Sequence, residues 1–380
     1  MADDHSSSSA VKSGLEGVVA GTSKICEVNG EKGELFYWGY NIHDLAQGAS
    51  FEETAYLLWH GRLPGREDLS HLSTQLFQAY QLGPSLKELM KRFPRDASPM
   101  AVLRTAVSSL GMFDETLKDK TLEANQKRAV FLLGQTSAIV AGFERIRRGS
   151  DFVPPREDLN FAGNFLYMMS GTNPDDTSVK AINMALVLHA DHELNASTFA
   201  ARVTAATLAD IYSAATSAIG ALQGPLHGGA NEAVMKMLLE IGDTANCESY
   251  IHQQLSQGKK IPGFGHRVYH TEDPRATHLR KMSKELGEKL NQLKWYEMLK
   301  KIEEVMWREK KINANVDCYS AAVYKILGIP VDLYTPIFAV SRMSGWTAHI
   351  LEQYSDNRLI WPRAEYIGHK SQVFVPLNER

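Results

Sequence analysis

The sequence predicts an all-α fold with a minor N-terminal β element, and three observations predict it. Helix start and stop signals recur along almost the whole of the 380 residues. Strand signals are confined to one short stretch, 24–38. Apolar residues make up 44% and charged residues 22%, the balance of a chain that buries a large core. Disordered, collagen-like and coiled-coil chains are excluded on the same composition.

The elements follow in order. The N-terminus is acidic and polar, with Ser6 to Ser9 in a row and no apolar run of a signal peptide, so residues 1–13 are expected to be a disordered tail. Lys24 to Val28, then Asn29-Gly30, then Glu34 to Trp38 read as a hairpin region. Ser50 and Glu53 form a capping box before an apolar helix that Gly61 and Pro64 stop. Ser98-Pro99 starts a helix expected to end at Gly111. Another runs from the 120s to Arg148-Gly149, with basic residues where the helix dipole favours them. Further helices are expected at about 157–170, 176–191, 198–220, 232–241, 273–290, 292–311, 317–327 and 336–354, with Gly171, Gly242 and Gly328 just past three of the ends. Residues 199–222 are rich in alanine, which suits a helix set deep in the core or at a subunit interface.

Charge and cysteine usage narrow the function classes. Forty-one Lys+Arg against 44 Asp+Glu leave a net charge of −3, which argues against a dedicated nucleic-acid or membrane-surface binder. No run of about 18 uninterrupted apolar residues occurs, so no membrane span is expected. The three cysteines, Cys26, Cys247 and Cys318, are widely spaced and form no disulfide or zinc pattern, which makes a reducing cytoplasm the expected location. P-loop, dinucleotide and nucleophile-elbow motifs are absent.

Glycine and polar residues interrupt the helical pattern oddly at 189–195, 224–231 and 261–275. His189 and His192 stand three apart at a helix end, a spacing open to metal ligation, to substrate binding, or to two ordinary helix-terminal histidines. His227 is enclosed by Gly224, Gly228 and Gly229, where the main chain can approach a ligand closely and the next helix start offers N–H groups to an anion. The run Ile261 to Tyr269 repeats the theme around His266, with Lys259 and Lys260 before it and Asp273-Pro274-Arg275 after it. Histidine, glycine-shaped backbone and several cations in so short a span suit a polyanionic ligand; a solvated basic loop is the alternative. Asp317 could be a helix N-cap or a chemical carboxylate. Arg342 lies in an apolar helix and needs an anionic partner, structural or substrate.

In this order, the runs 189–229, 262–275, 315–320 and 336–353 closely resemble the citrate synthase family, in the shorter form common in bacteria and archaea. The resemblance extends from Gly14-Leu-Glu-Gly-Val18 to Glu365-Tyr-Ile-Gly368. It implies an almost wholly helical homodimer, with a large domain at 14–228 and 329–380 and a small domain at 229–328. It implies condensation of acetyl-CoA with oxaloacetate, CoA acting as co-substrate, with no permanently bound cofactor and no metal. Carried over residue by residue, Asp317 resembles the base, His227 the donor to the enolate oxygen, and His266 the acid at the oxaloacetate carbonyl. His192, Arg275 and Arg342 resemble oxaloacetate ligands, Arg forks matching carboxylates in bidentate geometry. The CoA site is expected on Lys259, Lys260, Ile261, Gly263, Phe264, Gly265 and Arg267, with His270 near its phosphates and Asn315 near the pantetheine.

Some positions depart from the family's pattern. Trp361 stands where the family carries an arginine that crosses to the partner subunit's site, and loss of one charge-assisted pair is worth roughly 2–5 kcal/mol. Arg363, two residues on, is the residue of this chain that could replace it. Ala314, Cys318 and Ala321 also differ around Asp317, and Cys318 reads as a packing residue rather than a nucleophile. Two alternatives to citrate synthase remain: 2-methylcitrate synthase, which takes propionyl-CoA with the same machinery, and a catalytically impaired CoA-binding paralogue.

Overall fold

In the computed structural model the described residues are 12–15 and 17–380, so the expected tail lies outside them apart from Lys12 and Ser13. Cys26–Asn29, Glu34–Tyr37 and Tyr40–Asn41 form a three-stranded antiparallel sheet in sequence order, Cys26 facing Tyr37 and Asn29 facing Glu34. Leu35 and Tyr37 point inward and are fully buried, while Glu34 and Phe36 are partly exposed, as a strand's alternation requires.

The rest is helical. Phe51–His60 carries the expected capping box: Glu53 N–H donates to Ser50 Oγ and Ser50 N–H to Glu53 Oε2. Gly61 closes that helix in the left-handed region. Tyr334–Ser355 is the central helix, buried on nearly every side and packed on Leu122–Arg147, Ala196–Ala206, Ile211–Leu222, Asp176–His189 and Phe51–His60. Leu122–Arg147 is long and apolar enough to cross a membrane, but 89% of its most apolar window is buried within the protein, as in a core helix. A second group packs largely on itself: Val316–Ile326 lies against Pro274–Lys289 and Ala230–Ile241, and Cys247–Ser256 against Lys294–Lys310. Pro274–Lys289 also touches Asp176–His189 and Ile42–Gly48, joining the two groups beside the histidine-bearing loops.

Two expectations are corrected. The alanine-rich segment is two helices, Ala196–Ala206 and Ile211–Leu222, because Leu208 takes φ +63° and Asp210 caps the second, accepting from Ser213 N–H at 2.9 Å. Buried Ala201, Ala205, Ala214, Ala215 and Ala218 let their backbones approach closely. Gly111 does not end a helix; Pro99–Phe113 runs through it, and its bare Cα faces the Tyr212 ring, which an added Cβ would meet at 3.4 Å. Four helices had no clear sequence signal: Ile42–Gly48, Arg66–Ala79, Pro84–Lys91 and Cys247–Ser256. Each buries only two or three residues, so none stands out as an apolar run in the sequence.

Candidate active site

The turn after Ile211–Leu222 carries His227. Gly228 N–H donates to Leu222 O, and the carbonyl of Gly228 accepts from Thr335 Oγ1 on the central helix. Only glycine fits at 228, since a Cβ would stand 2.4 Å from the Leu222 carbonyl oxygen. This fixes His227, half-buried, with Nε2 2.8 Å from Ser197 Oγ and 3.3 Å from Ser197 N. A backbone N–H can only donate, and Ser197 N–H, which Asn195 Oδ1 also accepts at 3.2 Å, makes Nε2 an acceptor, so the proton of the neutral ring is assigned to Nδ1. Ser197 is itself buried, near Asn195 Oδ1 at 2.7 Å and receiving the indole N–H of Trp346 at 3.1 Å. Burial first, and then the positive charge of Arg342, lower the His227 pKa to about 4.

His266 is fixed differently. Val268 N–H and Tyr269 N–H both donate to its Nδ1, at 3.0 and 3.2 Å. Its proton therefore sits on Nε2, the opposite tautomer. Burial, then Arg275, lowers its pKa to about 4. Gly263 and Gly265 shape this loop with φ of +82° and +77°. Gly265 N–H donates to Asn313 O and Asn315 N–H to Gly263 O, and Phe264 bridges to Ala314. A Cβ on Gly263 would stand 2.7 Å from Val234 and 3.1 Å from the Cα of Cys318, which explains the glycine at 263.

Arg275 begins the next helix and is buried with Asp273, its N-cap, in a bidentate pair with both contacts at 2.9 Å. Asp273 also accepts from Val316 N–H at 3.0 Å, so it holds the start of the Asp317 helix against the Arg275 helix. Burial pushes the Asp273 carboxyl up, but Arg275 more than offsets it and holds the pKa down. Tyr269 completes this side: its hydroxyl is 3.2 Å from His192 Nε2, and its ring lies 4.7 Å from that of His266. The His192 and His266 rings are 5.1 Å apart. His192 is buried and its pKa is driven well down by burial and then by Arg275.

Arg342 is 1% exposed on the central helix, its Nε donating to His189 O at 2.7 Å and its guanidinium lying over the Phe338 ring. Among the described residues it forms no ion pair, and burial lowers its pKa. Its charge bears on His227, His192 and Asp317, just as that of Arg275 bears on His266, His192 and Asp317. The predicted residues thus share one electrostatic centre. His189 does not join as a metal ligand: its Nδ1 donates to Ala185 O, and no metal-holding cluster of His, Cys, Asp or Glu occurs among the described residues.

Asp317 lies at the second position of its helix, and Asn315, not Asp317, is the N-cap, accepting from Asp317 N–H at 3.0 Å. Its carboxylate makes no hydrogen bond among the described residues. Asp317 is half-buried by exposed area yet densely surrounded, and burial, helped by Asp273 and opposed by Arg275 and Arg342, raises its pKa to about 7. A carboxyl without hydrogen-bond donors, in the field of the same two arginines as two neutral histidines that each keep one ring N–H to donate, is an arrangement able to move a proton to and from carbon.

The expected CoA-binding residues divide. Ile261 is buried in the core, and Asn315 spends its amide on Gly265 O at 2.9 Å while capping its helix. Lys259, Lys260 and Arg267 are exposed on the loop flanks. His270 lies against the hairpin, its N–H on Gly30 O and its ring 3.5 Å from Glu31. Arg363 is not brought to the cluster. It sits with Trp361, which is 80% exposed, in the extended segment after Ser355. Sequence reasoning missed the roles of Ser197, Tyr269 and Asp273. Asp273 had a signal as the cap of an Asp-Pro helix start, and the other two had none of their own.

The family model described as "Citrate synthase, C-terminal domain" matches residues 14–363. Citrate synthase 2 of Bacillus subtilis is 55% identical over 97% of this chain and 98% of its own length. A 2-methylcitrate synthase of Corynebacterium glutamicum is 41% identical over 98% of this chain and 100% of its own. The citrate synthase of Thermoplasma acidophilum, solved as a ternary complex with carboxymethyl coenzyme A and oxaloacetate, superposes with a TM-score of 0.91 at 34% identity, over 97% of this chain and 98% of that one. The chain belongs to the citrate synthase family.

Proposed function

We propose that this protein joins the methyl carbon of acetyl-CoA to the keto carbon of oxaloacetate and hydrolyses the resulting citryl thioester, using the cluster around Arg275 and Arg342. The observation that carries this reading is a pair of neutral histidines in opposite tautomers that share the field of Arg275 and Arg342 with a carboxyl of raised pKa. A methyl group beside a thioester is a very weak acid, so a base alone cannot remove its proton. Asp317 takes that proton while Nδ1–H of His227 donates to the thioester oxygen, where charge develops. Nε2–H of His266 donates to the ketone oxygen of oxaloacetate and makes its carbon the better electrophile. Arg342, Arg275 and His192 hold the carboxylates, and the lone buried guanidinium of Arg342 gains a partner when they arrive. The 261–267 loop receives the CoA, with Lys259, Lys260 and Arg267 toward its phosphates.

The assembly is read as a homodimer. After Ser355 the chain runs to its end with only one 3-10 turn, Leu377–Glu379, and exposes Trp361, Ile367, Val373, Phe374 and Leu377, each about 80% or more. Apolar side chains in that number on one arm call for a covering surface, and a second copy supplies it. The large domain is assigned to 14–228 with 329–380 and the small domain to 229–328, in keeping with the two groups of packed helices.

Thiol release measured with acetyl-CoA tests the reaction. Release is expected only when oxaloacetate is present, and its absence at saturating substrates would reject the reading. Propionyl-CoA in the same assay decides the acyl group, because one methylene is worth only about 1–3 kcal/mol in an apolar pocket. A kcat/KM at least tenfold higher for propionyl-CoA would make the chain a 2-methylcitrate synthase.

A further inference from the structure

Asp191 and His349 are both fully buried, and neither is part of the machinery above. His349 Nε2 lies 3.2 Å from Asp191 Oδ2, which also accepts from Glu193 N–H, while Asp191 Oδ1 has no partner. The state of His349 can be read from its other side. Arg202 Nη1 is 3.4 Å from His349 Nδ1, and a guanidinium can only donate, so Nδ1 accepts and the proton on Nε2 goes to Asp191. Arg202 is anchored in turn by Glu352 Oε2 at 2.6 Å and Gln353 Oε1 at 3.0 Å, and Glu352 Oε1 accepts from Lys24 N–H. A chain of hydrogen bonds, exposed at Lys24 and buried at His349 and Asp191, thus runs from the strand entrance, through the central helix, to the loop after His189.

The position of this chain gives it a use. Asp191 directly precedes His192, and its backbone is gripped on both sides by the Tyr37 hydroxyl. His349 lies two helical turns beyond Arg342, on the same face of the central helix. Between them Gly345 lets the helix rest on the loop, for a Cβ there would stand 2.4 Å from both Ala190 O and Asp191 Oδ1. Among the described residues Arg342 forms no ion pair, and Asp191 is the anion that bears on it most.

We infer that Asp191 and His349 are a positioning pair that sets the spacing between His192 and Arg342, and so the fit of the dicarboxylate substrate, a role that rests on the proposed reaction. His192 is borne on a loop and Arg342 on a helix, and the Asp191–His349 bond ties those two carriers together. Loss of the donor leaves a buried carboxylate to find another partner, and the loop moves with it.

The test uses the full-length protein and steady-state thiol release, with His349→Leu and His349→Gln, the amide of Gln placing an N–H near the original Nε2. For His349→Leu the oxaloacetate KM is expected to rise at least tenfold and the acetyl-CoA KM less than twofold. For His349→Gln the oxaloacetate KM is expected to stay within threefold of wild type. A parallel rise in both KM values, no rise in either, or a Gln variant as impaired as Leu overturns the inference. If His349→Leu does not fold, the Gln variant decides alone: an oxaloacetate KM within threefold supports the pair, and a tenfold rise rejects it. Wild-type protein that releases no thiol with oxaloacetate would instead sink the proposed reaction itself.

Discussion

His227 is held by one residue distant in sequence, Ser197, whose hydroxyl lies 2.8 Å and whose N–H lies 3.3 Å from its Nε2, and which is itself held by Trp346 and Asn195. His266 is held by main chain, the N–H groups of Val268 and Tyr269, in a loop bent by two left-handed glycines. Both rings end up neutral with a pKa near 4, but with the proton on opposite nitrogens. The difference shows which kind of change each can survive. The hydroxyl part of the Ser197 anchor fails when that residue is replaced, whereas a main-chain anchor fails only when the backbone conformation does.

The largest effect is expected between the two, at the base they serve. Asp317→Asn should lose 10²–10⁴-fold in kcat, the usual range for removing a general base. Retention of more than about a tenth of the rate would assign Asp317 another role. Because Asn315 provides the cap, this variant should fold normally. Its stability also has a sign. The carboxyl pKa is raised in the folded state to about 7, so the native state loses stability from this group as pH rises through that value. Asp317→Asn should therefore match wild type in melting temperature near pH 4 and exceed it near pH 8. In wild type, kcat/KM should rise with pH and level off above about 7, as the base ionises.

Replacing the donors comes next. His227→Ala and His266→Ala should each lower kcat by about 10²–10³-fold, the cost of one donor to a developing oxyanion. Near-normal turnover in either would break the comparison. Ser197→Ala sharpens it, since the hydroxyl goes while the Ser197 N–H at 3.3 Å stays. About tenfold in kcat is expected, with binding of oxaloacetate unchanged. For His266 the matching change is Gly263→Ala, where positive φ and the 2.7 Å approach to Val234 predict a loss of about 1–3 kcal/mol of stability and a raised acyl-CoA KM. A melting temperature equal to wild type would show that the loop can adapt.

The same contrast explains what could be read from the sequence. The hairpin, the Ser50–Glu53 box and the stop at Gly61 depend on neighbours in sequence, and they are where local chemistry puts them. The break at Leu208 could not be read, because alanines favour helix on both sides and only the packing of the two helices reveals the turn. In the site, His227, His266 and Asp317 stood out because glycines and family motifs frame them. Ser197, Tyr269 and Asp273 serve those residues from 30, 3 and 44 positions away, measured to His227, His266 and Asp317 in turn. The Ser197 contact and the reach of Asp273 to Val316 arise from tertiary packing and leave no local pattern, whereas the N–H of Tyr269 meets His266 within one short loop. Asp317 itself was ambiguous until Asn315 proved to be the cap.

Ring-nitrogen NMR of the full-length protein labelled with ¹⁵N-histidine tests the central claim most directly, with His227→Asn and His266→Asn used to assign the two signals. At pH 5.5 ordinary histidines are mostly imidazolium. His227 and His266 are expected to be neutral there, His227 protonated on Nδ1 and His266 on Nε2. An imidazolium at either position at that pH, or the same tautomer at both, would contradict the account.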